Sequence, residues 1–279
     1  MCLGALVHAG VPLDYLQKQL AQLGIDPEYQ LWAEQVQRNG QSATKIHVDL
    51  SDRTAPPVRH LKTIEGLITQ AQLPDRVEAW SLAIFRKLAE AEAAVHGSTP
   101  ERVHFHEVGA TDALIDIVGT CLGLDWLGIE AVYCSPLPTG GGTVRAAHGR
   151  LPAPVPAVLQ LWQMGKVPVY GNGIHRELVT PTGAAIVVTL AKGFGECPPL
   201  ILERVGLGAG DATFTLPNIL RLWIGQSSED DRSGKKEEIS DLAHSHSHDR
   251  SHPHDRSHSH THPREHDHPE PAGDETEET

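Results

Sequence analysis

The sequence changes character at Gln226, and this break limits how much of the chain can fold. From Gln226 to Thr279, ten histidines alternate with Ser, Asp, Arg and Pro, and large apolar residues are scarce. A segment with so little apolar surface cannot offset the conformational entropy that folding would cost. We therefore predict an α/β region over residues 1–225 and a disordered, acidic, histidine-rich tail over residues 226–279.

The net charge of −13 belongs mostly to this tail. From Gln226 onward the chain carries 15 of its 36 acidic residues but only 6 of its 23 basic residues, which leaves the preceding region at −4. A protein that binds nucleic acid presents a basic surface. The composition therefore argues against a nucleic-acid partner.

Cysteine usage and hydropathy indicate a cytoplasmic protein without a membrane segment. Cys2, Cys121, Cys134 and Cys197 form no Cys-x-x-Cys pair, which is typical of a reducing compartment. No apolar run reaches the roughly 20 residues that cross a membrane. The first residues lack the basic region and cleavage site of a signal peptide. They resemble a helix already under way, so we expect that an upstream piece is missing.

Strands alternate with helices along residues 1–225, which predicts an α/β fold with a mixed sheet and flanking helices. Asn39-Gly40, the strongest short turn signal, divides residues 29–50 into a hairpin. The predicted helices cover residues 1–9, 12–23, 61–71, 75–96, 110–127, 153–162 and 180–192. Further strands are predicted at 103–108, 129–134, after the glycine-rich loop, and at 167–170, 200–205 and 219–224, with a loop at 206–210.

One stretch, residues 103–119, combines titratable groups with an apolar helix. His104 and His106 would share one face of a strand, and Asp112 and Asp116 one face of the following helix, with Glu107 between the pairs. Imidazoles with carboxylates suit a divalent transition metal. The alternative is that Asp112 caps the helix and the histidines form hydrogen bonds in the core. Spacing alone leaves both interpretations open.

A glycine-rich loop offers a second candidate site. Its members Thr139, Gly140, Gly141, Gly142 and Thr143 could present consecutive backbone N–H groups to a phosphate, and Arg145 follows them. The loop matches neither a Walker sequence nor a dinucleotide fingerprint, so a plain connection is the alternative. Thr180 and Thr182 open a helix with Pro181 at its first position, which is an N-cap pattern and also a possible anion site.

The tail histidines form a third candidate site. Neutral imidazole binds Ni²⁺, Cu²⁺ and Zn²⁺ well, and His-x-His repeats allow one flexible segment to chelate metal. We expect labile metal capture here, against the alternative of a solvated linker. The residues are His244, His246, His248, His252, His254, His258, His260, His262, His266 and His268.

Several motifs together resemble one family. They are HFHEVGATDALIDIVG at 104–119, SPLPTGGGTV at 135–144, AHGRLP at 147–152 and ELVTPTGAA at 177–185, with further matches at 89–97 and 217–221. In this order, over about residues 1–225, they resemble the signature of LarC-type nickel-insertion proteins.

The resemblance implies a function. Such proteins place nickel into pyridinium-3,5-bisthiocarboxylic acid mononucleotide in a CTP-dependent reaction. The product is the nickel-pincer nucleotide cofactor of lactate racemase and related enzymes, which makes such an enzyme the expected recipient. The expected ligands of nickel are then His104, His106, Glu107, Asp112 and Asp116, with the tail as a source of metal.

The sequence departs from the family pattern at both ends. The first residues resemble those that follow the family's first strand and Asp-Cys-Phe-Ser-Gly-type loop, and we expect this chain to lack the family's C-terminal domain, to which CTP binding is attributed. CTP, with Mn²⁺ or Mg²⁺, is therefore expected only with such a domain or a separately encoded partner. Two alternatives stay open: a non-enzymatic nickel-storage protein or metallochaperone, and a metal-dependent hydrolase that uses His104 and His106.

Overall fold

A computed structural model describes residues 1–51, 59–103, 105, 111–146 and 149–227. The helices of these residues are α1 (Cys2–His8), α2 (Leu13–Leu20), α3 (Leu61–Gln70), α4 (Asp75–His96), α5 (Thr111–Trp126), α6 (Pro156–Gly165) and α7 (Pro181–Leu190). The strands are β1 (Tyr29–Arg38), β2 (Gln41–Leu50), β3 (Val132–Cys134), β4 (Leu137–Pro138), β5 (Thr143–Ala146), β6 (Gly149–Pro152), β7 (Val169–Tyr170), β8 (Ala191–Phe194), β9 (Leu200–Ala209) and β10 (Ile219–Ser227). Short 3-10 turns lie at Ala21–Leu23, Asp26–Glu28 and Pro100–Arg102.

The largest sheet has four strands in the order β1-β2-β9-β10. β1 and β2 are antiparallel, as are β9 and β10, whereas β2 pairs with β9 in parallel through Thr44 and Gly208. The β1–β2 hairpin turns at Asn39 and Gly40, both with positive φ, as a two-residue primed turn requires. The expected mixed sheet with flanking helices is thus confirmed.

Helix α1 lies between this sheet and α5, and glycines line both contacts. On the sheet side, a Cβ added to Gly208 would lie 2.6 Å from the backbone N of Ala5, closer than two atoms can pack. On the other side, Gly119 and Gly123 of α5 leave room for the side chains of Leu3 and Leu6. Because the helix backbone approaches the strand this closely, only glycine fits at that point of β9.

The hydrophobic core lies mainly among the helices. Ile84, Phe85 and Leu88 of α4 are fully buried, and Phe85 meets Phe105 edge to face with ring centroids 6.5 Å apart. α4 packs against α3, α5, α6 and α7. Three small strand pairs, β3–β8, β4–β7 and β5–β6, lie in the connections around this core. No helix of the described residues is both long and apolar enough to cross a membrane.

One predicted element is wrong. Residues 206–210 were expected to form a loop, yet β9 runs on through Ala209 and pairs with β10 as far as Ile219. Gly206 and Gly208, two of the glycines that suggested a turn, serve the close approach of α1 instead. The predicted helix 180–192 also ends early, because Ala191 and Lys192 belong to β8.

The predicted strand at 103–108 falls mostly outside the described residues. Its described members, Val103 and Phe105, are buried and carry no strand assignment. The predicted start of the disordered tail is wrong by two residues, because Gln226 and Ser227 belong to β10 and pair with Ile201 and Leu200 of β9. The rest of the predicted tail lies outside the described residues.

Candidate functional site

Two of the predicted metal-binding carboxylates lie on the first two turns of α5. Asp112 is exposed, and its Oδ1 accepts a hydrogen bond of 2.9 Å from the backbone N–H of Ala113. Asp116 is half-buried one turn further along. Burial raises the pKa of the Asp116 carboxyl, the Met1 ammonium opposes this shift, and the charge of Asp112 adds to it. The two carboxylates therefore interact, as the four-residue spacing predicts.

The other predicted ligands of this stretch, His104, His106 and Glu107, lie outside the described residues, and so do the ten tail histidines. Their geometry stays a prediction. In the part of the chain that the structure describes, no three His, Cys, Asp or Glu side chains are grouped to hold a metal ion. A complete site at α5 would thus need ligands from the segment that precedes the helix.

Two cysteines that the sequence analysis did not select lie in this region: Cys2 is close to Asp116, and Cys134 is close to Cys2. Cys2 opens α1 and Cys134 ends β3, and both are half-buried. Burial raises the pKa of the Cys2 thiol, the Met1 ammonium opposes this, and Asp116 adds to it. Burial and the neighbouring Cys2 raise the pKa of Cys134 to about 11. Thiolates are good ligands for divalent transition metals, so both residues join the candidates.

A buried ion pair fixes the start of α5. The Arg59 guanidinium, only 5% exposed, donates from Nη2 to both carboxylate oxygens of Glu28 at 2.6 and 2.7 Å. Its Nη1 donates to Thr111 Oγ1 at 3.2 Å, and that hydroxyl donates to Glu28 in turn. Thr111 is the first residue of α5 and directly precedes Asp112. The network therefore anchors the end of the helix that carries both carboxylates.

The glycine-rich loop packs closely on residues 174–178. The N–H groups of Thr139 and Gly141 donate to the carbonyls of Tyr170 and Arg176 at 2.9 and 3.0 Å. A Cβ at Gly142 would lie 2.8 Å from the carbonyl oxygen of His175, so this position needs glycine. Two of the N–H groups expected to face a phosphate are thus used within the chain.

The loop leads into the β5–β6 hairpin, where Thr143 and Arg145 lie exposed on β5. The strand register places Arg145 opposite Arg150, a residue that the sequence analysis did not select. Arg150 Nη2 donates to Thr143 Oγ1 at 2.8 Å. The hairpin therefore brings two arginines and a hydroxyl together next to the glycine-rich loop.

The predicted N-cap of α7 is confirmed. Thr180 Oγ1 accepts a hydrogen bond of 3.2 Å from the N–H of Gly183, with Pro181 at the first helical position. Thr180 is exposed and Thr182 half-buried. Leu178, two residues before this N-cap, lies against Gly140 of the glycine-rich loop. A ligand role for Thr180 and Thr182 stays a prediction.

Comparison with known proteins gives consistent results. The chain is 61% identical over 252 residues to a protein of Gloeothece citriformis (strain PCC 7424), which covers 87% of this chain and 61% of the relative. It is 68% identical over 231 residues to a protein of Cyanothece sp. (strain PCC 7425 / ATCC 29141), which covers 82% of this chain and 56% of the relative. Both relatives carry the name "Putative nickel insertion protein".

The chain spans about three fifths of the length of these relatives. No solved structure matches it. A family model described as nickel insertion protein matches residues 1–245, which includes the whole described region. The chain therefore belongs to the nickel insertion protein family.

Proposed function

We propose that this chain takes part in placing Ni²⁺ into pyridinium-3,5-bisthiocarboxylic acid mononucleotide to form the nickel-pincer nucleotide cofactor. Membership of the nickel insertion family is the observation that carries the proposal. Nickel is the cargo here. The substrate offers two thiocarboxylate sulfurs, and the recipient of the product is a nickel-pincer enzyme such as a lactate racemase.

The interacting groups at α5 support a nickel-transfer site. Asp112 and Asp116 share one side of the helix, Cys2 lies near Asp116, and Cys134 lies near Cys2. In this proposal His104, His106 and Glu107 complete the ligand set, and the tail histidines collect Ni²⁺ and pass it on. A mixture of carboxylates, imidazoles and thiols holds nickel without closing every coordination position, so the substrate sulfurs can replace protein ligands one at a time.

The phosphate end of the substrate is assigned to the glycine-rich loop. Thr139 to Thr143 with Arg145 would hold it, and the start of α7 at Thr180 and Thr182 is a secondary anion site. CTP, with Mn²⁺ or Mg²⁺, is assigned to a further C-terminal part or a separate partner polypeptide. The four unpaired thiols fit a cytoplasmic reaction.

Nickel transfer to the isolated substrate tests this proposal. The full chain, alone and with the C-terminal polypeptide of a longer relative, is incubated with nickel, CTP and substrate, and the nickel-bound nucleotide is measured by mass spectrometry. We expect product at least in the presence of that polypeptide. Absence of product under both conditions would reject the enzymatic function.

Two substitutions of acidic residues locate the site. Asp116→Asn should reduce the rate of insertion by about 100-fold, the loss typical of removing a metal-associated group. Glu130→Gln, on an exposed position just after α5, is the matched control and should leave the rate unchanged. Equal rates for both variants would remove Asp116 from the site.

Nickel storage without catalysis is the second candidate, because the tail alone concentrates ten histidines. It predicts that a chain ending at Ser227 binds no nickel. Retained binding of at least one Ni²⁺ by that shortened chain, measured by calorimetry, would favour the insertion function over storage.

A further inference from the structure

The β5–β6 hairpin has two different faces. Val144 and Leu151 form a cross-strand pair that is half-buried and packs against the hydrophobic core. Thr143, Arg145 and Arg150 lie on the exposed face. The apolar pair holds the hairpin against the core, and the polar face is exposed to solvent, where it could contact a ligand.

The exposed face carries two like charges in direct opposition. Arg145 is the register partner of Arg150, and side chains so paired on one face have Cβ atoms only about 5 Å apart, where like charges destabilise a sheet. Among the described residues, neither guanidinium forms an ion pair with a carboxylate. An anion between the two arginines would remove this repulsion.

Further donors lie at the end of the hairpin where the glycine-rich loop enters. Arg150 Nη2 is held on Thr143 Oγ1 at 2.8 Å, which brings its guanidinium to the side of the hairpin where the glycine-rich loop enters. At that loop, the exposed His175 approaches with its Nδ1 3.4 Å from where a Cβ on Gly141 would lie. Arg150, Thr143 and His175 thus lie beside the glycine-rich loop, and Arg145 is the strand partner of Arg150.

We propose that Arg145 and Arg150 form a two-arginine clamp for the phosphate monoester of the mononucleotide substrate, with Thr143 orienting Arg150. The identity of the nucleotide rests on the proposed function. The class of anion follows from the donors, because paired planar guanidinium groups match the several oxygens of a phosphate dianion. A nucleic-acid strand is a poor occupant, since it needs an extended basic surface and this chain is acidic.

Binding of a pyridinium mononucleotide tests the clamp directly. The metal-free full chain is titrated at pH 8 and low salt with nicotinic acid mononucleotide, and with nicotinic acid riboside, which lacks the phosphate. We expect preference for the mononucleotide, and binding at least about tenfold weaker in Arg145→Gln and in Arg150→Gln, as expected when a charge-assisted partner is lost. Arg221→Gln, which removes an exposed arginine of β10, is the control and should bind as the wild type does.

Thermal unfolding gives a readout that separates ligand loss from misfolding. In chloride alone, Arg150→Gln should melt at or above the wild-type temperature, because the cross-strand repulsion is gone. Inorganic phosphate at equal ionic strength should raise the melting temperature of the wild type and of Arg221→Gln, but not of Arg150→Gln. A lower melting temperature of Arg150→Gln in chloride, or an equal response of all chains to phosphate, would overturn the clamp.

The outcomes distinguish this inference from the function on which it rests. If the mononucleotide binds through both arginines but no nickel-bound product forms with any partner, the proposed function is wrong and the anion clamp stands. If nickel insertion proceeds in Arg150→Gln with the wild-type KM for the substrate, the clamp is wrong and the function stands.

Discussion

The four thiols of the chain have different surroundings, and these set their reactivity. Cys197 is exposed, whereas Cys121 is buried in α5, where burial raises its pKa to about 12. Cys134 is half-buried with a pKa raised to about 11. Only the thiolate reacts with a disulfide reagent, so a raised pKa slows the reaction. At pH 8 a thiol of pKa about 11 is roughly one part in a thousand thiolate.

These differences in exposure and pKa predict that one thiol of the native chain reacts quickly with a disulfide reagent. With a chromogenic disulfide reagent at pH 8, Cys197 should react first and Cys121 only after unfolding in guanidinium. Cys197→Ser should abolish the fast phase and leave the total in denaturant one thiol lower. A fast phase that survives in Cys197→Ser would show that Cys2 or Cys134 is more accessible than the structure indicates.

The Arg59–Glu28 pair gives a second prediction at the residue scale. Glu28→Gln leaves the buried guanidinium without its counter-charge, which should lower the free energy of unfolding by about 3–5 kcal/mol. The matched control is Glu65→Gln, which breaks the more exposed pair with Arg86 and should cost at most about 1 kcal/mol. Urea unfolding of both variants measures the difference. If both variants lost a similar free energy of unfolding, the Arg59–Glu28 pair would contribute no more than an exposed ion pair.

Among the elements, α1 depends most on glycines far away in sequence. Gly208→Ala forces a Cβ into the backbone of α1 and should lower the free energy of unfolding by about 3 kcal/mol or more. Gly66→Ala is the matched control, because Gly66 lies in α3 with nothing within 4 Å of the added atom. That substitution should stabilise the chain by about 0.5–1 kcal/mol through the helix propensity of alanine.

Thermal or urea unfolding of the two alanine variants checks this prediction. The free energy of unfolding should fall in Gly208→Ala and rise in Gly66→Ala. If Gly208→Ala were as stable as the wild type, the close contact between α1 and β9 would be wrong.

Elements with strong local signals were predicted well. The hairpin at Asn39-Gly40 and α4, which ends at a left-handed Gly97, have the expected limits. Residues 206–209 of the expected loop are instead the end of β9, because Gly206 and Gly208 allow α1, about 200 residues earlier in the chain, to approach the strand closely. A local pattern cannot separate glycine used for a turn from glycine used for close packing.

At the scale of the whole molecule, the tail and the preceding region should behave independently. A chain ending at Ser227 should keep its cooperative unfolding and its melting temperature to within about 2 °C, because the segment from Gln226 onward has too little apolar surface to contribute a core. It should lose most of the nickel equivalents that the full chain binds. Calorimetric titration and thermal unfolding measure the two quantities. A large fall in melting temperature would show that the tail packs on the rest of the chain.

The sequence by itself determined the fold class, most helix limits, the first hairpin and the family, because these depend on periodicity, turn residues and ordered motifs. Only the tertiary structure revealed that Cys2 lies near Asp116 and Cys134 near Cys2, and that Arg59 and Glu28 anchor the start of α5. Such contacts join residues that are distant along the chain, and no spacing rule encodes them. Arg150 is intermediate: a correct hairpin register would have placed it opposite Arg145, but the strand limits were too coarse for that. The physical reason is that local backbone preference acts over a few residues, whereas a site is assembled by packing.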